Sequence, residues 1–294
     1  MPKPRPSALV EFAPAKVNLT LAVLGRRRDG YHSLDSLVAF ARFGDRVTLR
    51  PGPVLALAVR GANAAQAGVP DDNLVLKAAR ALAEEVRGLK LGRFTLFKRL
   101  PAAAGLGGGS SDAGAALRLL ARANRIALDD ARLYRVARRI GADVPVCVNP
   151  RPRRMRGIGE ILSAPLALPP LAAVLVNPGV AVPTGEVFAG LGLKPGAMRG
   201  GRGRMPAPPA GFDALIGFLA DRGNDLEPAA IKLQPAIARA LAALRAQPGC
   251  RLARMSGSGA TCFALFATVR AAAAAARGLR AAHPRWWVKA TVLG

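Results

Sequence analysis

Cysteine and histidine are scarce in this sequence, and their scarcity excludes two kinds of site. The 294 residues include three cysteines, Cys147, Cys250 and Cys262, and two histidines. The cysteines lie far apart, and none belongs to a Cys-x-x-Cys pair. Such a sparse, odd set argues against a disulfide framework and against a zinc site, and is typical of a reducing compartment. We therefore expect a cytoplasmic protein without a zinc site, and the sequence identifies no metal-ligating residue.

Long apolar runs are also missing. The longest, residues 166–176, is interrupted by Pro169 and Pro170 and is too short to span a bilayer. Residues 1–7 are basic and rich in proline but lack the apolar core of a signal peptide. Hydrophobic residues still make up 51% of the chain, which is a globular composition. The sequence therefore predicts a soluble protein with no membrane partner.

Acidic residues are few relative to basic ones. The chain has 18 Asp and Glu against 43 Lys and Arg, which gives a formal net charge of +25. An excess of this size is compatible with an acidic ligand or polymer. The arginines are, however, spread over the whole chain rather than gathered in one tract, and this favours a bias of composition. We expect a small anionic substrate and no nucleic-acid partner.

Strand and helix patterns are mixed without a strict βαβ alternation. Residues 12–24 alternate apolar and polar side chains, which predicts a half-buried strand. Further strands are predicted at 45–50, 54–59, 93–99, 172–176, 262–267 and 286–293. Helices are predicted at 73–87, 110–124, 130–140, 183–191, 212–221, 226–233, 235–246 and 269–282. The mixture predicts an α+β fold in two domains, residues 1–156 and 157–294, with a surface loop at 195–211.

Residues 100–112, LPAAAGLGGGSSD, form a glycine-rich loop between a predicted strand and a predicted helix. Consecutive glycines let the backbone approach a ligand closely, and the helix N-terminus favours an anion. The segment predicts a phosphate cradle. It is not a Walker A loop, because no lysine follows the glycines. A flexible linker with a serine cap is the alternative, and the strand before and helix after disfavour it. A second glycine-rich loop, residues 255–261, suggests two walls around one ligand.

Asp143 follows a predicted helix C-terminus, where an anion is electrostatically disfavoured. We therefore expect this carboxylate either to pair with a nearby cation or to serve the function of the protein. Lys16, on the polar face of the first predicted strand, is a candidate partner. The alternative for both residues is a solvated surface charge, and the sequence leaves it open.

Three motifs in order resemble the superfamily of galactokinase, homoserine kinase, mevalonate kinase and phosphomevalonate kinase. They are PAKVN at 14–18, the loop at 101–111 and SGSGA at 256–260. The chain more closely resembles the family of 4-diphosphocytidyl-2-C-methyl-D-erythritol kinases of the non-mevalonate isoprenoid pathway. The segments that carry this resemblance extend over nearly the whole chain: RDGYHSL at 28–34, DNL at 72–74, KRLP at 98–101, GADVP at 141–145 and GIGE at 157–160.

The resemblance implies a two-domain kinase with its active site in the cleft between an N-terminal ATP-binding domain and a C-terminal substrate-side domain. It implies transfer of phosphate from ATP, with Mg²⁺, to the 2-hydroxyl of 4-diphosphocytidyl-2-C-methyl-D-erythritol by a monomer or homodimer. Asp143 would be the catalytic carboxylate and would also contact the substrate. Lys16 would be its cationic neighbour, which either keeps Asp143 ionised or stabilises the γ-phosphoryl group.

The resemblance also implies the binding residues. Those for ATP are Asn73, Leu74, Lys98, Pro101, Gly105, Leu106, Gly107, Gly108, Gly109, Ser110 and Ser111. Those at the cytidine end of the substrate are Tyr31, His32, Pro183, Thr184 and Phe188, and Asn18 would contact the methylerythritol part.

Some positions depart from the family pattern and two other functions stay open. Val38 stands where family members often carry an aromatic residue, and Ala103 and Ala104 stand where glycine is common. Another kinase of the superfamily is one alternative, and the Gly-Tyr-His segment at 30–32 argues against it. A basic RNA-binding protein is the other, favoured by the Arg- and Gly-rich residues 199–204. Such a protein would need neither the phosphate loop nor an acid–base residue.

Overall fold

The computed structural model describes residues 8–199 and 205–294, so most of the Arg- and Gly-rich segment at 199–204 lies outside the described residues. The strands are β1 (Leu9–Asn18), β2 (Ala22–Arg26), β3 (His32–Pro51), β4 (Ala56–Arg60), β5 (Gly92–Phe97), β6 (Arg153–Gly157), β7 (Ile161–Leu162), β8 (Leu171–Asn177), β9 (Cys250–Met255), β10 (Cys262–Phe266) and β11 (Trp287–Leu293). The helices are α1 (Leu74–Glu85), α2 (Gly108–Asn124), α3 (Ala131–Ile140), α4 (Val144–Val148), α5 (Thr184–Ala189), α6 (Phe212–Ala220), α7 (Glu227–Leu233), α8 (Ala236–Arg245) and α9 (Val269–Ala282). The predicted α+β class is confirmed.

The first predicted strand is wrong in two respects. The segment 12–24 is divided between β1 and β2. It is also buried on both faces rather than half-buried, because the polar side chains of Lys16, Asn18 and Thr20 are as enclosed as the apolar Val17. The alternation of the sequence correctly indicates a strand, but its polar face is covered by other parts of the protein.

The chain forms two compact units, each assembled from segments distant in sequence. Unit 1 contains residues up to Ala15 together with Gly44–Ala102 and Gly107–Pro150. Unit 2 contains Lys16–Phe43, Ala103–Leu106 and Arg151–Gly294. The predicted division into residues 1–156 and 157–294 stays a prediction.

Unit 1 covers a small sheet with helices α1 to α4. The second half of β3 pairs antiparallel with β5, and β4 pairs parallel with β5. Helix α2 lies deep in this unit, since every residue from 111 to 121 is buried. Gly114 lets α2 approach α4, because a Cβ at that position would lie 2.4 Å from the carbonyl oxygen of Cys147. Close packing of this kind fixes the position of α4 relative to α2.

Unit 2 is built on an antiparallel sheet with the order β11-β8-β10-β9. Strand β8 is buried at every position, and α8 and α9 pack on the sheet through side chains such as Leu241 and Leu279. The first half of β3 pairs with β2 and with β6. Among the described residues no helix combines the length and the apolar character that crossing a membrane requires.

Candidate active site

The two glycine-rich loops are in direct contact within unit 2. Gly105 has a φ of +71°, and a Cβ there would lie 2.4 Å from the carbonyl oxygen of Ser256. The Ser256 hydroxyl donates to the carbonyl oxygen of Gly105 at 2.9 Å, and the Thr261 N–H donates to the carbonyl oxygen of Ala104 at 3.1 Å. A side chain at Gly105 would therefore force the loops apart. In the sequence, only the similar composition of the two loops indicated that they lie close together.

The end of β1 joins both loops and carries Lys16 and Asn18. The Lys16 N–H donates to the carbonyl oxygen of Leu106 at 2.9 Å, and the Asn18 N–H donates to the Ser256 hydroxyl at 3.1 Å. Lys16 Nζ donates to Asn18 Oδ1 at 3.2 Å, while Asn18 Nδ2 donates to the Ser36 hydroxyl at 2.8 Å. Lys16 and Asn18 are 3% and 4% exposed. An ammonium group held this firmly, away from bulk water, can stabilise negative charge that develops on a ligand.

Asn224, which the sequence analysis missed, anchors the second loop. Its Nδ2 donates to the carbonyl oxygens of Met255 at 2.9 Å and Gly257 at 2.8 Å, and its Oδ1 accepts from the Leu226 N–H at 3.0 Å. A buried amide with its donors and acceptor paired rigidifies the loop around it. Asn224 lies three residues before the start of α7 at Glu227, and an asparagine shortly before a predicted helix was the signal available in the sequence.

The start of α2 in unit 1 exposes backbone donors suited to phosphate. Gly107 precedes the helix in the left-handed conformation, with φ of +59°. The N–H groups of the first turn, residues 108–110, have no partner within a helix by its geometry. The Ser111 hydroxyl, by contrast, donates to the carbonyl oxygen of Pro14 at 2.7 Å. The backbone of residues 108–110, rather than the Ser111 hydroxyl proton, is therefore the main donor set here.

The other residues predicted to bind ATP lie around this helix start. A Cβ at Gly109 would lie 3.4 Å from Leu74 Cδ1, so Leu74 packs beside the loop. Asn73 caps α1, and its Oδ1 accepts from the Val75 N–H at 3.0 Å. Lys98 Nζ does not point to solvent but lies buried between the carboxylates of Asp45 and Asp112. Neither of those acids was predicted.

Asp143 occupies the N-cap position of α4, with Pro145 in the first turn. In the sequence Asp143 was expected just beyond the C-terminus of a helix, and α3 does end at Ile140. Because α4 begins directly after Asp143, the carboxylate also lies at the start of a helix, whose first N–H groups favour an anion. Arg118 on α2 holds α4 in place by donating to the carbonyl oxygen of Cys147 at 2.6 Å.

Two of the residues predicted for the cytidine end meet in unit 2. The rings of His32 and Phe188 stack with centroids 4.7 Å apart and an interplanar angle of 27°. Burial, followed by the nearby charge of Arg26, lowers the pKa of His32. His32 Nε2 is buried and has no hydrogen-bond partner among the described residues. A neutral imidazole with an unused ring nitrogen is suited to the polar edge of a base.

The remaining predicted substrate residues differ in their surroundings. The Thr184 hydroxyl lies 2.8 Å from the Ser258 hydroxyl of the second glycine-rich loop, and Pro183 precedes α5. Tyr31 is 60% exposed, so its ring is free to contact a ligand. Val38 is fully buried in β3 and therefore provides no wall for a base.

Comparisons with known proteins agree on one family. The model of the GHMP kinase N-terminal domain matches residues 73–150, and that of the C-terminal domain matches residues 209–285. The chain is 61% identical to the 4-diphosphocytidyl-2-C-methyl-D-erythritol kinase of Xanthobacter autotrophicus, over 96% of this chain and 97% of that protein. A crystal structure of 4-(cytidine 5'-diphospho)-2C-methyl-D-erythritol kinase is 36% identical with a TM-score of 0.75, covering 97% of this chain and 99% of the other. Homoserine kinase from Cytophaga hutchinsonii shares the fold, at 18% identity and a TM-score of 0.70 over 99% and 96% of the chains.

Proposed function

We propose a reaction for this chain from one established premise: it belongs to the family of 4-diphosphocytidyl-2-C-methyl-D-erythritol kinases within the GHMP kinases. The chain is an ATP-dependent phosphotransferase. Its acceptor is 4-diphosphocytidyl-2-C-methyl-D-erythritol, its product carries the new phosphate on the 2-hydroxyl, and the reaction is a step of the non-mevalonate isoprenoid pathway. Within the structure, the observation that best supports this assignment is the network that joins Lys16, Asn18 and the two glycine-rich loops.

The protein's part in phosphoryl transfer is to position the reactants and to neutralise charge. In this proposal the N–H groups of residues 108–110 bind the ATP phosphates, and Leu74 and Asn73 border the adenosine. Lys16 stabilises charge on the transferred phosphoryl group. Asn18, held by Ser36 and Ser256, orients the methylerythritol part. Asp143 accepts a hydrogen bond from the acceptor hydroxyl and takes its proton as that oxygen bonds to the γ-phosphorus, the bond to the β-phosphate oxygen breaks and ADP leaves.

Mg²⁺ is the expected metal, and the side chains present fit the way it binds in kinases. The described residues include no group of three or more His, Cys, Asp or Glu side chains suited to a metal ion. Mg²⁺ does not need such a group, because it usually binds through substrate phosphates, waters and one or two carboxylates. In this proposal the ATP phosphates, held by the N–H groups of residues 108–110, and water would ligate Mg²⁺. Bound Mg²⁺ would neutralise charge on the phosphates.

We also place the enzyme in the cytoplasm. All three cysteines are free thiols, and two of them, Cys147 and Cys262, are buried. Burial raises the pKa of the Cys262 thiol, so this residue is a packing group rather than a reactive one.

The acceptor assignment is tested by comparing substrates. Purified enzyme with ATP and Mg²⁺ should phosphorylate 4-diphosphocytidyl-2-C-methyl-D-erythritol, while homoserine, mevalonate and galactose should be inert under the same conditions. Product analysis by phosphorus NMR locates the new phosphate. Faster turnover of mevalonate or homoserine would remove the acceptor assignment and leave the kinase activity in place.

His32→Ala should lower kcat/KM for the cytidylated acceptor by roughly 5- to 150-fold, mainly through KM. The expected loss corresponds to about 1–3 kcal/mol for a buried hydrogen bond left unpaired, and a contact made equally in ground and transition states changes KM. His283→Ala is the matched control, since His283 stacks on Trp286 at 3.7 Å in the same unit and should leave KM unchanged. Equal KM values for His32→Ala and wild type would show that the cytidine contact lies elsewhere.

Gly108→Val should weaken ATP binding by about tenfold or more with the fold intact. A Cβ at Gly108 would lie 3.5 Å from Lys98 Nζ and 3.6 Å from Leu100 Cδ1, which is ordinary contact, so the fold should accommodate the change. The two methyl groups of valine extend beyond this Cβ and would shift the first turn of α2, whose N–H groups we assign to the phosphates. Gly217→Val in α6, where nothing lies within 4 Å, is the control for valine in a helix. Calorimetric titration with ATP measures both, and unchanged affinity in Gly108→Val would contradict the phosphate-cradle assignment.

A further inference from the structure

Three charged side chains are buried at the base of the glycine-rich loop in unit 1. Lys98 Nζ donates to Asp45 Oδ2 at 2.5 Å and to Asp112 Oδ2 at 2.8 Å. Asp45 is 0% exposed and Asp112 is 2% exposed. The second oxygen of Asp45, Oδ1, accepts from the backbone N–H groups of Arg99 at 2.5 Å and Leu100 at 2.8 Å. Asp45 therefore uses both oxygens, one on the lysine and one on the backbone.

These contacts lie at the two ends of the loop. Arg99 and Leu100 are where the chain leaves β5 and the loop begins. Asp112 lies in α2, the helix that follows the loop. A Cβ at Gly108 would lie 3.5 Å from Lys98 Nζ, so the start of α2 rests directly over the ammonium group. The Asp45 carboxylate in β3 thus contacts the first end of the loop directly. It is linked to the second end through Lys98.

The two carboxylates are not equivalent. Asp112 Oδ1 is buried and has no hydrogen-bond partner among the described residues. Burial raises the pKa of Asp112 to about 8, which disfavours its charged form. Asp45 has backbone donors on one oxygen and the ammonium group on the other. Only Asp45 contacts the backbone of the loop.

We propose that Asp45 is a positioning residue of the phosphate-binding loop, which fixes the separation of the loop's two ends through Arg99, Leu100 and Lys98. This rests on the proposed function, in which that loop binds ATP. Without the Asp45 carboxylate, the loop populates conformations that do not bind phosphate, and the apparent affinity falls with the competent fraction. The chemical step is unchanged once ATP is bound, because Asp45 touches no reacting atom.

The isosteric pair Asp45→Asn and Asp112→Asn tests this assignment, since each removes one carboxylate without changing its shape. In Asp45→Asn the new side chain presents an amide nitrogen to Lys98 and only a neutral oxygen to the loop. We expect this variant to raise the Kd and KM for ATP by roughly 10- to 50-fold, as for a competent fraction of a few per cent, with kcat within about threefold of wild type. Asp112→Asn keeps every Asp45 contact and an oxygen that can accept from Lys98 Nζ, so its Kd for ATP should rise clearly less than that of Asp45→Asn. Calorimetry and steady-state kinetics supply these values.

Asp130→Ala is the control for a general loss of stability in unit 1, because it removes the cap of α3 without touching the loop. It should lower Tm and leave the Kd for ATP unchanged. If wild type binds ATP and Asp45→Asn binds it equally well, or if both Asn variants lose the same affinity, the assignment to Asp45 is overturned. If wild type does not bind ATP at all, the proposed function fails and this inference fails with it.

Hydrogen exchange of the wild type gives a test that does not depend on the stability of any variant. The amides of Arg99 and Leu100 should be protected in the free protein, because Asp45 Oδ1 accepts from both. Rapid exchange of these two amides in the free protein, with protection only after ATP is added, would show that the loop is not held in advance and would overturn the proposal.

Discussion

Asp143→Asn should lower kcat by about 10²- to 10⁴-fold, the usual contribution of a general base, with the Kd for ATP within about threefold of wild type. Asparagine keeps the shape and one acceptor oxygen but can take no proton. The N-cap position before α4 does not require a charge, because asparagine caps helices as well as aspartate does. The fold should therefore survive, and the loss should fall on the chemical step. Steady-state kinetics with both substrates saturating measure it.

Asp130→Asn is the matched control, since Asp130 is also an N-cap in unit 1, and its Oδ1 accepts from the Arg132 N–H at 2.9 Å. This variant should retain wild-type kcat. A loss below about tenfold in Asp143→Asn would assign Asp143 an orienting role, because asparagine can still accept a hydrogen bond from the acceptor hydroxyl. Turnover equal to that of wild type would remove Asp143 from catalysis.

Regular elements with strong local signals could be predicted from the sequence. Helix α9 has the predicted bounds, because Thr268 caps it, its Oγ1 accepting from the Ala271 N–H at 3.1 Å, and alanine favours the helix throughout. Helix α4 was missed for the opposite reason. Its residues, Val-Pro-Val-Cys-Val, include three β-branched side chains that favour strands. Packing against α2 at Gly114 overrides this local preference.

The candidate site was predictable where its chemistry is local and not where it depends on distant partners. The glycine-rich loop could be recognised because its residues are consecutive. The cluster of Asp45, Lys98 and Asp112 could not, since Asp45 lies 53 residues from Lys98 along the chain and no spacing rule pairs them. The stacking of His32 on Phe188 is likewise a product of tertiary structure, and the two residues were grouped only through the family resemblance.

Gly105 has a structural reason that the sequence did not indicate. The family resemblance implied only that this residue helps to hold the ATP phosphates. In the structure the nearest group to a Cβ at Gly105 is protein backbone, the carbonyl oxygens of Ser256 at 2.4 Å and Gly259 at 2.8 Å. Glycine is needed here so that the two loops can touch, and the donors for phosphate follow a few residues later, at 108–110.

Gly105→Ala should lower kcat/KM for ATP by roughly 10²- to 10³-fold, comparable to the loss of a preorganised donor in an anion-binding site. Alanine at a φ of +71° is strained by about 1–2 kcal/mol, and its Cβ would overlap the Ser256 carbonyl. The displacement passes directly along the chain to Gly107 and the first turn of α2. Both loops lose their register with the end of β1, where Lys16 and Asn18 are held by Leu106 and Ser256.

Gly249→Ala separates the backbone strain of alanine at positive φ from the overlap with the second glycine-rich loop. Gly249 also lies in unit 2 and has a φ of +76°, but the nearest atom to its Cβ position is 4.0 Å away, so alanine there suffers the backbone strain without the overlap. Each variant is compared with wild type by steady-state kinetics and by Tm. We expect Gly249→Ala to lose a few degrees in Tm with activity retained, and Gly105→Ala to lose activity at a temperature where it is still folded. If Gly105→Ala shows only the loss in Tm seen for Gly249→Ala, contact between the two glycine-rich loops contributes to folding and not to ATP binding.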